Sequence, residues 1–230
     1  MTMRLERRSS FGWPAAAAGY APCSNGLVVH YDGSDQGLAR RDHGACRTYW
    51  KNTRRFHMSS ARGWSDIGYA FGCCPHGIVL EGRGWQRQQA AQPGGNSTWT
   101  SVTFMSGDHE KPTAAQVRAF KELRAWLRGK GLAAAISYHG RFISTSCPGS
   151  SLRQMVTSGA LVGAPGSEDD VSAKEVWDHP IDTGDGGKAW RAGSVLGHLE
   201  AEQDRIKTKL DAQDAKLDQV IALLTAPKES

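Results

Sequence analysis

No apolar run in this 230-residue chain approaches the roughly 18–20 residues that cross a bilayer, which excludes a helical membrane span. The five cysteines are odd in number, which argues against a complete disulfide framework. A continuous apolar stretch is also missing behind the basic start Met1-Thr-Met-Arg-Leu-Glu-Arg-Arg. Glu6 interrupts that start and only Ala15–Ala18 follows it. Such a sequence makes a poor signal peptide, and the expectation is synthesis in the cytoplasm. No nucleic-acid motif and no aromatic-studded basic helix is present, so nucleic acid ranks last among partners.

Acidic residues are scarce in one part of the chain. Residues 1–167 hold 9 Asp/Glu against 20 Lys/Arg, a net +11, whereas residues 168–230 hold 14 against 8, a net −6. The basic part suits an anionic partner such as an acidic cell-wall polymer or a membrane surface. The length fits one ordinary domain plus an appendage, with enough sequence for a core that needs no staples.

Element signals then follow in order. Residues 1–21, rich in Arg, Ser and Ala without a clear period, read as a loosely attached arm. Strands are expected at Gly26–His30, Ile67–Cys74, Ile78–Glu81, Trp99–Met105 and Leu132–His139, with a hairpin turn at Pro75-His76-Gly77. Helical spacing covers Ala45–Ser60. A second helix opens at Thr113 and repeats Val117, Phe120, Leu123 and Leu127, and a third spans Ser150–Ser158. This alternation predicts an α/β domain with a mixed central sheet flanked by helices, over residues 22–158. Residues 159–175 read as a Gly/Ala/Ser/acid-rich linker. Residues 176–230 carry an aromatic segment and then a helix whose Leu196, Leu199, Ile206, Leu210, Leu217, Val220 and Leu224 step by heptads. Gln203 and Gln213 fill the remaining seam positions. That pattern predicts a coiled coil and a homo-oligomer, with an amphipathic helix folding back on the preceding domain as the alternative.

The stretch Tyr138–Pro148 carries the chemistry. An apolar run ends on His139, and Cys147 follows eight residues later in a Cys-Pro-Gly loop. Imidazole and thiolate are common zinc ligands, and such a loop lets both reach one ion. The third ligand expected is His30, at the end of Gly26-Leu27-Val28-Val29. Cys73 and Cys74 read as small core residues in a strand, and Cys23 and Cys46 as a possible pair in an oxidising compartment.

Several ordered motifs resemble one family. His57, Gly63-Trp64-Ser65-Asp66-Ile67-Gly68-Tyr69-Ala70-Phe71, Glu81-Gly82-Arg83-Gly84-Trp85, and His139 with Thr145-Ser146-Cys147-Pro148-Gly149 resemble the type 2 N-acetylmuramoyl-L-alanine amidases. That family includes peptidoglycan recognition proteins and phage endolysins. The resemblance covers roughly residues 22–158 and implies a Zn2+ ion held by His30, His139 and Cys147. It also implies that Tyr69 and Thr145 assist catalysis, and that His57, Arg83 and Trp64 line the substrate groove. Three protein ligands leave one tetrahedral position open, the mark of a catalytic rather than structural zinc. The implied reaction cuts the muramyl–L-alanine amide of peptidoglycan, in an endolysin reaching the wall after membrane permeabilisation. A non-catalytic peptidoglycan-binding or virion-associated module is the competing class. Asp66 reads as a structural hydrogen-bond acceptor, and Trp85 and Trp99 as core. Two departures from the pattern are Tyr31, where many relatives carry a second histidine or a cysteine, and Ala91, where recognition proteins often carry a histidine.

Overall fold

The computed structural model describes residues 3–163, 180–182 and 189–225. A six-stranded sheet forms from β1 (Leu5–Glu6), β2 (Leu27–Tyr31), β3 (Phe71–Cys73), β4 (Val79–Glu81), β5 (Thr100–Phe104) and β6 (Ile136–Tyr138), in the order β1-β4-β3-β5-β2-β6. Only the β3–β4 hairpin is antiparallel; the other pairings are parallel. The predicted mixed α/β architecture is therefore what forms. β2 and β5 are buried at every residue, as expected of central strands covered on both faces.

Three helices pack on this sheet: α1 (His43–Met58), α2 (Ala114–Arg128) and α3 (Gly149–Thr157). The Asp42 carboxylate caps α1 by accepting from the Ala45 N–H, and the Thr113 hydroxyl caps α2 by accepting from Gln116 N–H. Val117, Phe120, Leu123 and Leu127 face one core, with Phe71, Val102 and Phe104 of the sheet. On the other face, Trp50 and Cys46 of α1 pack with Ile67, Leu80 and Met105. Gly26, at a positive φ of 135°, sits where any Cβ would strike the Ala135 carbonyl, so glycine alone lets β2 begin beside the chain leading into β6.

Several expectations are corrected. Residues 3–21 are not a loose arm: β1 is an edge strand on β4, and Arg8 is buried against Asp66. Apolar residues there follow no clear period, and the anchoring comes from partners distant in sequence: β4 for β1, Asp66 for Arg8, His43 and Arg47 for Glu6, and the core beneath α1 for Phe11. Ile67–Ala70 is a buried loop rather than strand, and Leu132–Ala135 leads into β6 without joining it. Ile67 and Ala70 are apolar because they are covered, not because they are paired, whereas in the second run only Leu132 is buried. Cys23 and Cys46 do not pair. Cys23 Sγ lies by the Arg87 and Asn96 carbonyls, while Cys46 Sγ lies 3.4 Å from His76 Nδ1.

The chain divides into two compact units, Met1–Ser167 and Glu168–Ser230. The second contains the β7 (Pro180–Asp182)–β8 (Ala189–Arg191) antiparallel pair and the long helix α4 (Ala192–Thr225). Leu199, Ile206, Leu210 and Leu217 on α4 are each more than half exposed. Most of the predicted 159–175 linker, and residues 176–179 and 183–188 of the aromatic segment, lie outside the described residues. Among the described residues, no helix is long and apolar enough to cross a membrane.

Candidate metal centre

β2 carries His30 on the sheet, and the turn that leaves β6 carries His139 (residues 139–141 form a 3-10 turn). Cys147 stands just before α3. Donor atoms of His30, His139 and Cys147 lie within 4.8 Å of one another. His30 Nδ1 is 3.7 Å from Cys147 Sγ, and the two imidazole centroids are 4.5 Å apart. A tetrahedral ion with ordinary metal–sulfur and metal–nitrogen bonds separates such donors by about 3.6 Å. His139 Nε2 is buried with no hydrogen-bond partner, the position of an atom that lacks its ligand partner.

The electrostatics suit a cation. Burial, with His139 nearby, pushes the His30 pKa down to about 3, so the ring is neutral with lone pairs available. His139 is lowered by burial too. Burial pushes the Cys147 thiol up to about 12, so an arriving cation displaces a proton from sulfur. The residues present therefore fit a divalent ion that accepts two nitrogens and one sulfur.

The outer partner of His30 is Gln92, whose Oε1 accepts from Nε2 at 3.2 Å and fixes Nδ1 as the free donor toward Cys147. Gln92 is fully buried; its side-chain Nε2 donates to the Trp99 carbonyl at 3.3 Å, and its backbone N–H donates to Asn96 Oδ1 at 2.9 Å. Its stretch carries only loop signals in sequence, so nothing there announced it. Asp32 also escaped the sequence reading. Two residues beyond His30, it bonds the Thr103 hydroxyl at 3.2 Å, and burial raises its carboxyl to about 8. The alternation of a strand, which brings residues i and i+2 to one face, was the available signal.

Tyr69 lies beside the cluster, its ring centroid 5.3 Å from that of His30. Burial first, then the nearby Asp32, holds its phenol well above the ordinary range, so the hydroxyl keeps its proton. The loop carrying Tyr69 is held at nearly every polar group. Asp66 accepts from Arg8 at 2.8 Å, Arg54 at 2.6 Å and the Ile67 N–H at 2.8 Å. Arg83 N–H donates to the Tyr69 carbonyl, and Ala90 N–H to that of Gly68. The expected structural role of Asp66 is what these bonds describe.

The remaining sequence-predicted positions divide. His57 is 7% exposed, and its Nδ1 accepts from the Gly68 N–H at 3.1 Å, which requires a neutral ring. Trp64 packs against it at a tilt of 40°, with ring centroids 4.6 Å apart. Arg83 is buried, its guanidinium donating to the carbonyls of Ile67, Gln88 and Asp66. His57 and Arg83 thus brace the Tyr69 loop through these bonds. Thr145 is partly exposed, and its hydroxyl oxygen accepts from Cys147 N–H at 3.3 Å.

A second group of His and Cys donors, His43, Cys46, Cys74 and His76, also falls within 4.8 Å. It shares no residue with the first.

The profile of the family described as N-acetylmuramoyl-L-alanine amidase matches residues 20–150, which include all three candidate ligands and Tyr69. Peptidoglycan-recognition protein SC2 of Drosophila simulans is 38% identical over 112 residues, covering 47% of this chain and 60% of that protein. The N-acetylmuramoyl-L-alanine amidase of Sus scrofa is 33% identical over 122 residues, covering 50% of this chain and 20% of that protein. The chain thus spans less than two thirds of the length of these curated relatives. The structure of wild-type Drosophila PGRP-LB superposes with a TM-score of 0.60 at 25% identity, covering 70% of this chain and 96% of that one. With more than half of its length matched, and the histidine and cysteine donors gathered inside the match, the chain belongs to the N-acetylmuramoyl-L-alanine amidase family.

Proposed function

We propose that this protein is a zinc-dependent amidase hydrolysing the bond between the lactyl group of N-acetylmuramic acid and L-alanine in peptidoglycan. The convergence of His30, His139 and Cys147 in a chain of this family carries the reading. Two imidazoles and one thiolate suit zinc and leave one of its four positions for substrate or water. When bound, zinc supplies Lewis acidity at the scissile carbonyl and a nucleophile at neutral pH.

The chain's own groups do the rest. Gln92 holds the His30 ring in its ligating tautomer. Tyr69, still protonated, donates a hydrogen bond to the carbonyl oxygen as negative charge grows there. The Thr145 oxygen already accepts from Cys147 N–H, which leaves its O–H to donate toward substrate. One water is consumed: its hydroxyl adds to the acyl carbon, the C–N bond breaks, and its proton goes to the departing L-alanine nitrogen, leaving a lactyl carboxyl group and a free amine.

The wider reading is a lysin of the phage endolysin type, made in the host cytoplasm and reaching the wall once the membrane is breached. Its support is the motif resemblance and the net +11 of residues 1–167, which draws the enzyme to anionic wall polymers. The exposed heptad positions Leu199, Ile206, Leu210 and Leu217 support self-association of α4 as a short coiled coil.

The test is incubation of the purified protein with peptidoglycan, with zinc and after chelation, scoring stem peptides that bear a new L-alanine N-terminus. Zinc-dependent release, lost in His139→Ala and Cys147→Ala, is the expected result. Wall binding without release, where an established amidase works on the same substrate, would instead favour the non-catalytic binding module.

A further inference from the structure

α1 starts with a His-x-x-Cys pair, and the β3–β4 hairpin turn carries a Cys-x-His pair. Residues three apart on a helix share a face, so His43 and Cys46 point the same way from the first turn of α1. Opposite them, Cys74 and His76 sit in a turn closed by the Gly77 N–H on the Cys74 carbonyl. The four donor atoms fall within 4.8 Å of one another. Cys46 Sγ is 3.4 Å from His76 Nδ1, and Cys74 Sγ is 3.5 Å from His43 Nδ1 and 4.0 Å from His76 Nδ1. These lengths bracket the edge of about 3.6 Å that a tetrahedral zinc imposes between sulfur and nitrogen ligands.

The outer contacts have the same logic. Each imidazole presents Nδ1 to the cluster and anchors Nε2 elsewhere: His43 on the Glu6 carboxylate at 3.0 Å, His76 on the Arg41 carbonyl at 2.7 Å. A ring that donates one N–H to a carboxylate or carbonyl has its other nitrogen fixed as a lone pair facing the ion. Both sulfurs are fully buried, and the rings close the outer side at partial exposure. A plain disulfide between Cys46 and Cys74 would leave two oriented, anchored imidazoles without a purpose.

We propose that His43, Cys46, Cys74 and His76 form a second zinc site, closed by four protein ligands and structural rather than catalytic. Two thiolates and two imidazoles in a tetrahedral set select zinc over oxygen-seeking magnesium or calcium. The ion would pin the start of α1 to the β3–β4 turn, and through Glu6 reach β1. α1 contributes Arg54 and His57 to the loop of Tyr69, so this second ion would support the candidate active site from a distance.

The test is metal counting on the full-length chain, purified under reducing conditions with zinc present and dialysed. Elemental analysis should find about two zinc per wild-type chain, about one in Cys147→Ser, and about one in the Cys46→Ser/Cys74→Ser double variant. In the cobalt-loaded protein, Cys147→Ser should retain about two thirds of the thiolate charge-transfer intensity, because two of three thiolate ligands remain. If the double variant does not fold, His76→Ala serves in its place, with the second ion lost at least about tenfold more readily to a chelator. A folded Cys147→Ser protein without zinc would overturn the proposal. So would a Cys46–Cys74 disulfide, found by mass spectrometry in the zinc-replete wild type. One zinc in the wild type that survives Cys147→Ser would sustain the second site and sink the metal of the proposed amidase, so the two readings fail separately.

Discussion

His30 and Cys147 stand 117 residues apart in sequence, and the sheet must form before they meet; His43, Cys46, Cys74 and His76 come from one helix turn and one hairpin turn. The first cluster has three donors, a buried nitrogen on His139 without a partner, and a protonated tyrosine beside it. The second has four donors, with both outer ring nitrogens anchored. Number of ligands and company decide what a metal can do: an incomplete shell beside a hydrogen-bond donor offers chemistry, and a complete one offers rigidity. On the two proposals, the same two residue types would serve opposite ends within one unit.

The sharpest way to break this contrast is to remove one ligand from each cluster. Cys147→Ala should lower turnover of peptidoglycan by at least about 10³-fold, since Lewis acidity worth several kcal/mol is lost, while thermal unfolding moves little. A ligand change in the second cluster should do the reverse, with a lower Tm and a modest loss of turnover. Calorimetry and an N-terminal alanine assay on the same preparations separate the two. Equal loss of activity and stability in both variants would erase the distinction.

Next in size is the ion-pair framework of the Tyr69 loop, which needs no metal. Asp66 is fully buried between Arg8 and Arg54. Burial alone would raise its carboxyl, but the Arg54 hydrogen bond, the Ile67 N–H and the Arg8 charge outweigh it and leave the pKa below the ordinary value. A depressed carboxylate contributes stability that is complete above its unfolded pKa near 4 and disappears as pH falls through the folded value. Asp66→Asn strands two arginines and should cost roughly 3–5 kcal/mol in urea unfolding at neutral pH. His57 adds an earlier acid loss. Burial lowers it to about 4, so between the unfolded value near 6.5 and that point the unfolded chain binds the extra proton. Stability should therefore fall as pH drops through that window, and His57→Gln should flatten the slope there. A slope unchanged in His57→Gln would assign the acid sensitivity to other groups.

Tyr69→Phe comes third. It removes one hydroxyl and keeps the ring packed between His30 and Trp50. Turnover should fall about 10²–10³-fold, the usual effect of losing one oxyanion donor, with the zinc content and Tm of the wild type. A variant that also loses zinc would make Tyr69 a support of the metal site instead of a participant.

The sequence was most informative where chemistry and period coincide. His30 lies near the end of a buried strand, and His139 and Cys147 flank a loop, so the candidate metal cluster was readable from residue type and spacing. The helix α2 was readable because Thr113 caps it and four apolar residues recur on its buried face. Illegible features share one cause: they depend on partners distant in sequence. β1 is two residues long and owes its place to β4. Arg83 and His57 carry groove-like chemistry, yet their hydrogen bonds run inward to the Tyr69 loop. Cys74 is core, as its place in an apolar run suggested, but only the hairpin turn brings its sulfur to the histidine and cysteine of α1. His43-x-x-Cys46 and Cys74-x-His76 were visible as spacings, but the metal reading needs both pairs at once.

The smallest effect should come from the outer contacts, and it tests the contrast most directly. Gln92 orients a ligand of the first cluster as Glu6 does in the second, so one substitution at each site is a matched pair. Gln92→Ala should weaken zinc at the first site by about 10–100-fold and lower activity at limiting zinc, with recovery as zinc is raised. Glu6→Gln keeps an acceptor on His43 but removes its charge, so zinc at the second site should weaken by less, about tenfold or under, with turnover at saturating zinc unchanged. Chelator competition followed by elemental analysis reads both affinities, and the alanine assay reads the chemistry. If Gln92→Ala lowers turnover even at saturating zinc, Gln92 does more than hold a ring. Its buried amide would then help shape the substrate side of the cluster, and the division between an open chemical site and its passive support would have to be redrawn around it.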